Sequence, residues 1–406
     1  MNKPLVSIIK YTEPYGSLRE AIGLCEGLKG FNKQDKILIK PNIVAWDFTH
    51  PSPFGVITTS VLMFALVQIL AEEGFAHIAI GEASGAISKT RGREIYKTLG
   101  YDKLKHKYGV ELVDFNEEKF VLIDFEEFKL SIAKRALEAD KIINFPVLKT
   151  HNQCKVSLGI KNLKGCLDYK SKMFCHGVDI ELDHTFPRIM EKLPVALTII
   201  DGIFALEKGP VGGMAHRRDI IVASRDTYAC DIIGAELIGY RAENVPHLKF
   251  YAERYGRSLD IADIDIRGED VNRQKVFLEY DWEWTGDDTG PKGFEKRGIE
   301  GIAVRKYDNT LCTGCSGRFN PMLIMIMAAY KGKPFPNIEV ISGKKQLASE
   351  GYDKTVLFGK CSCDLNKNNP NIKKAIPING CPANLEIFTR EMKNEGIECD
   401  PKQIAN

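Results

Sequence analysis

The 406-residue sequence contains no apolar run near the ~20 residues needed to cross a bilayer; its longest, around 61–70 and 322–330, stop well short. It carries almost no net charge, +2 from 56 basic and 54 acidic residues, which argues against a broad nucleic-acid surface. The start reads as a short polar lead into a strand, with neither the apolar stretch nor the small-residue cleavage site of an export signal. The expectation is therefore a cytoplasmic protein with neither membrane nor nucleic-acid partners. Its eleven cysteines then do not imply disulfides, because the cytoplasm keeps thiols reduced. No internal repeat, low-complexity tract or leading charge block is visible. What is present is apolar surface to bury: 44% hydrophobic residues, with 20 Phe and 14 Tyr, exclude disorder for most of the chain.

A single core stops growing at about 250–300 residues, so the length points to two domains. Strand and helix patterns alternate through the first two-thirds, and short all-apolar runs such as 141–145 and 196–200 read as strands covered on both faces. This predicts an α/β fold, a three-layer doubly wound and mostly parallel sheet, over residues 1–270. Residues 271–298, with Trp282, Trp284 and the run Gly286-Asp287-Asp288-Thr289-Gly290-Pro291, read as a linker or insertion. A smaller cysteine-rich C-terminal domain follows over 299–406. In the first domain, loops at 41–42, 82–86, 146–151 and 201–213 leave predicted strands directly. In an open parallel sheet such loops gather at the carboxyl edge, where ligands bind.

Five of the eleven cysteines lie within 70 residues: Cys312, Cys315, Cys361, Cys363 and Cys381. Cys312-Thr313-Gly314-Cys315 is a C-x-x-C pair, and Cys381-Pro382 has the Cys-Pro ending of ferredoxin runs. Three chemistries compete: four thiolates on a [4Fe–4S] cluster, four on zinc, or a reactive dithiol. Cys25 and Cys230, on apolar helix faces, read as small core residues.

Residues 149–172 hold six lysines (149, 155, 161, 164, 170 and 172) against one acid, Asp168. A solvated helical face would interleave carboxylates. A cationic excess beside a buried strand fits capture of a phosphate or carboxylate; the plain alternative is an exposed basic loop. Lys149, His151, Asp201 and Glu207 are the expected catalytic groups, with His151 as a general acid and the two carboxylates in a glycine-rich loop. Asn42, Lys161 and Asn162 are the expected binding groups. Glu82-Ala83-Ser84-Gly85 could take phosphate but does not have the spacing of a dinucleotide fingerprint.

Several of these stretches together resemble the domain of unknown function 362 family. They are Lys40-Pro41-Asn42, Ile142-Ile143-Asn144, the run from Pro146 to His151, Gly159-Ile160-Lys161-Asn162 with Lys164-Gly165, and Asp201-Gly202-Ile203 with Glu207. Ser224-Arg225-Asp226 with Asp231, Gly359-Lys360-Cys361 and Gly380-Cys381-Pro382 complete the set. The resemblance implies one [4Fe–4S] cluster on Cys312, Cys315, Cys361 and Cys381, and leaves Cys363 over. Ala383 stands where the family often has a second proline. The Lys-Thr-His and Gly-x-Lys-Asn arrangement also looks like that of lactate racemase, which points to a shared fold with a small-molecule cleft. The expected function is an iron–sulfur oxidoreductase of an anaerobe, taking electrons from a carrier such as ferredoxin to an anionic small molecule or cofactor. The alternative is a metabolite-binding or assembly protein with a structural cluster; a zinc-stabilised hydrolase comes third.

Overall fold

The computed structural model describes residues 3–43, 54–84, 92–211 and 213–400. The chain divides into two compact units, Met1–Cys175 with Leu182–Tyr280, and His176–Glu181 with Asp281–Asn406. The boundary at Tyr280 falls inside the stretch 271–298, which is shared between the units.

Strands of the first unit are β1 Leu5–Lys10, β2 Lys36–Pro41, β3 His77–Glu82, β4 Glu111–Asp114, β5 Phe120–Asp124 and β6 Lys129–Ala133. They continue with β7 Lys141–Phe145, β8 Val147–His151, β9 Lys155–Val156, β10 Val195–Glu207, β11 Met214–Ser224 and β12 Asp265–Gly268. Ten of them form one sheet in the order β12-β1-β11-β10-β7-β2-β3-β4, with β8 joined to the far half of β10 and β9 to β8. Pairing is parallel except where β11 meets β1 and β10, and where β9 meets β8. The fold is thus mixed α/β around a largely parallel sheet. β5 and β6 make a separate antiparallel hairpin.

Successive side chains on a strand face opposite ways. Ile37 and Ile39 therefore enter one core with helices Pro14–Leu24 and Ser60–Glu72, while Leu38 enters the other with helix Thr227–Leu237. Ile142 and Ile143 divide in the same way. The continuous apolar runs of the central strands follow from this two-sided burial.

Two expected loops are strands. Of the run 146–151, Val147–His151 forms β8, and β10 continues through Asp201 to Glu207. Its extension is held by β11, from Gly202 opposite Ile220 to Glu207 opposite Met214, with a register shift between Gly202 and Phe204. Asp201 and Glu207 thus stand on a strand rather than in a glycine-rich loop.

The second unit has a four-stranded parallel sheet in chain order: β13 Ile302–Val304, β14 Ile338–Ser342, β15 Lys354–Phe358 and β16 Ala375–Ile378. Helix Thr313–Ala329 packs its Phe319 edge-on to Tyr307 at 4.9 Å and to Phe358 at 5.9 Å between ring centroids. No helix among the described residues is long and apolar enough to cross a membrane.

Candidate functional site

The chain runs from β2 outward to β3 and β4, then returns to β7 on the other side of β2. This reversal makes a switch point between the carboxyl ends of β2 and β7, the usual place for a ligand in such sheets. Three polar residues end these strands there: Lys40, Asn42 and Asn144. Asn162, closing the short helix Gly159–Asn162, enters the crevice. Its Nδ2 donates to Asn144 Oδ1 (2.8 Å) and to the Lys40 carbonyl (3.2 Å), and its Oδ1 accepts from Asn42 Nδ2 (3.0 Å). The Asp231 carboxylate accepts from the N–H groups of Gly159 (2.7 Å) and Ile160 (2.8 Å) and so holds the helix start. Burial pushes Asp231 up to about 7, against the pull of those two donors.

Lys40 and Glu82 form a fully enclosed ion pair at 2.6 Å. Lys40 Nζ also donates to the Pro41 carbonyl (2.7 Å), and Glu82 Oε2 accepts from Ile43 N (3.3 Å). Gly165 lies against this pair: a Cβ there would land on Glu82 Oε1 and Lys40 Nζ. Lys40, Asn144 and Asp231 received no role from the sequence, and Glu82, expected in a loop that could take phosphate, is instead the partner of Lys40. The available signal was a lone polar residue closing an apolar strand, as in Ile37-Leu38-Ile39-Lys40 and Ile142-Ile143-Asn144.

The lysine-rich stretch is not an exposed loop. Of its six lysines only Lys170 is exposed, and Lys149 is 1% exposed. Lys149 Nζ donates to Asn42 Oδ1 (2.6 Å) and to the carbonyls of Val56 (3.0 Å) and Pro210 (3.4 Å). Three neutral acceptors match the three N–H bonds of an ammonium. Burial, helped by the charges of Lys161 and Lys40, pushes the group down to about 7. Lys172 donates to the Ala83 carbonyl and is pushed to about 8, again chiefly by burial. Gly85 and Ala86, next along that loop, lie outside the described residues. Lys161 is different. Among the described residues its side chain forms no hydrogen bond or ion pair, and burial together with the Lys164 charge pushes it to about 8, against the opposing pull of Cys154 and Asp183.

His151 is almost fully buried, and its Nδ1 accepts from the backbone N–H of Gln153 (3.1 Å) and Cys154 (3.3 Å). Two amide donors require a lone pair on Nδ1, so the neutral ring carries its proton on Nε2. That arrangement suits an N–H donor better than the expected general acid, because protonating Nδ1 would break both bonds. Spectra of 15N-histidine-labelled protein at pH 8 should give the Nε2–H tautomer for His151. An Nδ1–H signal would overturn the assignment.

Asp201 and Glu207 are not joined to the lysines. Asp201 Oδ2 accepts from Thr59 N (2.7 Å), just before helix Ser60–Glu72, and Oδ1 from Ile203 N (3.1 Å). Burial raises its carboxyl and the Thr59 bond opposes this. Glu207 accepts from Glu279 N (2.9 Å) and faces His216 Nε2 at 3.1 Å. Burial alone would raise it, but those bonds and Lys208 hold it below the usual carboxylate value. Both acids brace the hairpin.

In the second unit three cysteine-bearing segments meet at Gly359. This residue has φ +94°, and a Cβ there would lie 3.1 Å from Cys315 Sγ and 3.7 Å from Ala383 Cβ. Lys360 N donates to the Gly380 carbonyl (2.9 Å), tying the Cys361 turn to the Cys381 turn. Ala383 N donates to Cys315 Sγ (3.4 Å). The Cys315 thiol is raised by its hydrogen bond with Cys312 and then by burial, and it also feels Cys381. Cys361 is raised by burial and feels both Cys312 and Cys381. Cys363 points elsewhere: its Sγ reaches the Leu357 carbonyl (3.5 Å) and packs with Ile341, Ala348 and Leu357. Among the described residues no three His, Cys, Asp or Glu side chains are already drawn into ligating geometry. The four thiols are gathered rather than closed.

Residues 37–236 match the family model described as "Domain of unknown function (DUF362)". The thylakoid-associated protein sll1697 of Synechocystis sp. is 29% identical over 255 residues, covering 61% of this chain and 77% of that protein. The lactate racemase apoprotein from Thermoanaerobacterium thermosaccharolyticum has a TM-score of 0.38 and 16% identity, over 57% of each chain. This chain thus spans little more than half of that structure's length. Over residues 37–236, where the switch-point network stands, the chain belongs to the domain of unknown function 362 family.

Proposed function

We propose that this is an iron–sulfur protein whose α/β unit holds an anionic small molecule or cofactor beside Lys161. The observation that carries the first half is the meeting of the Cys315, Cys361 and Cys381 segments at Gly359, with Cys363 turned away. Cys312, Cys315, Cys361 and Cys381 would hold one [4Fe–4S] cluster, their four thiolates being the usual ligand set. A cluster bound there supplies one-electron transfer, exchanged with a carrier such as ferredoxin. The residues around it provide thiolate ligands, the backbone N–H of Ala383 toward Cys315 Sγ, and the close approach that glycine allows at 359.

The second half rests on Lys161. It stands near Lys149 and Lys164, and no carboxylate of the described residues lies within ion-pair distance of it, Asp183 acting only from farther away. An anion supplies the missing partner. Lys161→Met should then weaken binding of phosphate- or carboxylate-bearing metabolites by about 1.5–3 kcal/mol, the range for hydrogen bonds to charged groups. Because Lys161 loses its proton near pH 8, affinity should fall as pH rises from 7 to 9, where an ordinary lysine at 10.5 would keep its charge. Calorimetric titrations of both proteins at the two pH values read this directly. Unchanged affinity in Lys161→Met would remove the residue from the site.

A second reading, a binding or assembly protein with a structural cluster, is favoured by the engagement of Asp201 and Glu207 with backbone N–H groups. Dithionite reduction followed by reoxidation with acceptors separates the two. A structural cluster should resist reduction or fail to pass its electron on.

A further inference from the structure

Lys344 follows a turn at Gly343, which has φ +79° and lies so close to Thr310 that a Cβ would sit 2.8 Å from its Oγ1. The Lys344 N–H donates to the same Thr310 Oγ1 (2.8 Å), two residues before Cys312. On the other side, Ser362 beside Cys361 donates its hydroxyl to the Ile341 carbonyl (3.3 Å), three residues before Lys344. Lys344 is therefore tied to both the Cys312 and the Cys361 segments. Its Nζ donates to the His176 carbonyl (2.6 Å), which fixes the ammonium instead of leaving it to swing in solvent. The charge also acts on the Cys361 thiol.

Lys360 is nearer in sequence but is balanced by Asp364 at 2.6 Å. Among the described residues Lys344 forms no ion pair with a carboxylate. It is a half-buried, uncompensated cation beside the gathered thiols.

We infer that Lys344 sets the reduction potential of the group those cysteines hold, raising it by favouring the more negative, reduced state. The inference rests on the iron–sulfur reading above. Net charge near a cluster is one of the main determinants of its potential, and a cation held in place beside it acts more strongly than one free to swing into solvent.

The test uses the full chain purified without oxygen, with iron and sulfide counted first. Lys344→Gln removes the charge but keeps a donor for the His176 carbonyl, so it separates electrostatics from tethering. Lys344→Arg keeps the charge. Lys344→Gln should retain its iron and shift the one-electron equilibrium about tenfold toward the oxidised form, 59 mV lower in midpoint potential. Lys344→Arg should stay near the parent, and Lys360→Gln should shift much less than Lys344→Gln. Full iron content with an unchanged potential in Lys344→Gln would overturn the inference, as would an equal shift in Lys360→Gln. A parent protein that binds no iron and sulfide would instead overturn the reading on which the inference rests.

Discussion

On the proposed iron–sulfur reading, serine at position 312, 315, 361 or 381 is expected to remove most of the visible absorption and iron of the anaerobically purified protein, whereas Cys363→Ser should leave both near the parent level. Four thiolates are needed to fill the iron sites, and a hydroxyl oxygen does not substitute for a soft sulfur donor. The distinction between Cys361 and Cys363 is the sharpest part. They are two residues apart on the helix Lys360–Leu365, which sends their side chains in different directions. Cys361 feels Cys312 and Cys381, while Cys363 sits against Ile341, Ala348 and Leu357. Gly359→Ala should lower iron content as well, since its positive φ strains any L side chain and its Cβ would press on Cys315 Sγ at 3.1 Å. Iron and sulfide analysis with optical spectra, all under anaerobic conditions, reads the series. Colour lost in Cys363→Ser and kept in Cys361→Ser would invert the ligand assignment.

Breaking the Lys40–Glu82 pair should destabilise the first unit by about 3–5 kcal/mol, the range for leaving one partner of a buried ion pair unmatched. Both side chains are almost wholly enclosed, at 0% and 3% exposure, so water cannot take the place of the lost partner. Lys40→Met leaves the Glu82 carboxylate with the Ile43 N–H (3.3 Å) but no counter-charge. Glu82→Gln leaves the ammonium with the Pro41 carbonyl (2.7 Å) and Asn162 Oδ1 (3.4 Å). The double variant Lys40→Met/Glu82→Leu should recover part of the loss, because no buried charge remains. Urea unfolding of the four proteins closes the cycle. Single-variant costs below about 1 kcal/mol would mean that the pair is hydrated in solution, in the range of surface bridges. The local effect should reach Asn162 and Lys161, because Asn162 is bonded to Lys40 through both its backbone and its side chain.

The sequence by itself determined the layered α/β character of the first unit. Alternation such as Ile37-Leu38-Ile39 is a local pattern, and a strand buried on both faces can hardly be built from anything else. It also pointed to the loops that leave the strands, and so to Asn42, but gave no role to the polar residues Lys40 and Asn144 at the strand ends themselves. The parallel sheet of the second unit was not legible in this way: β13 has only three residues and β16 four, too short for periodicity to register. Nor was the length of β10, whose last residues are strand because β11 pairs with them. The tertiary structure alone decided what each lysine does. Six cations against one acid suggest either anion capture or an exposed basic loop, yet Lys149 finds its acceptor in Asn42, 107 positions away, and outside that stretch Lys40 finds its counter-charge in Glu82, 42 away. Composition reports which charges exist. Which of them are neutralised depends on chain crossings that bring distant segments within 3 Å; among the described lysines of this stretch, the Lys161 side chain has no such partner, which is why the proposed anion is placed there.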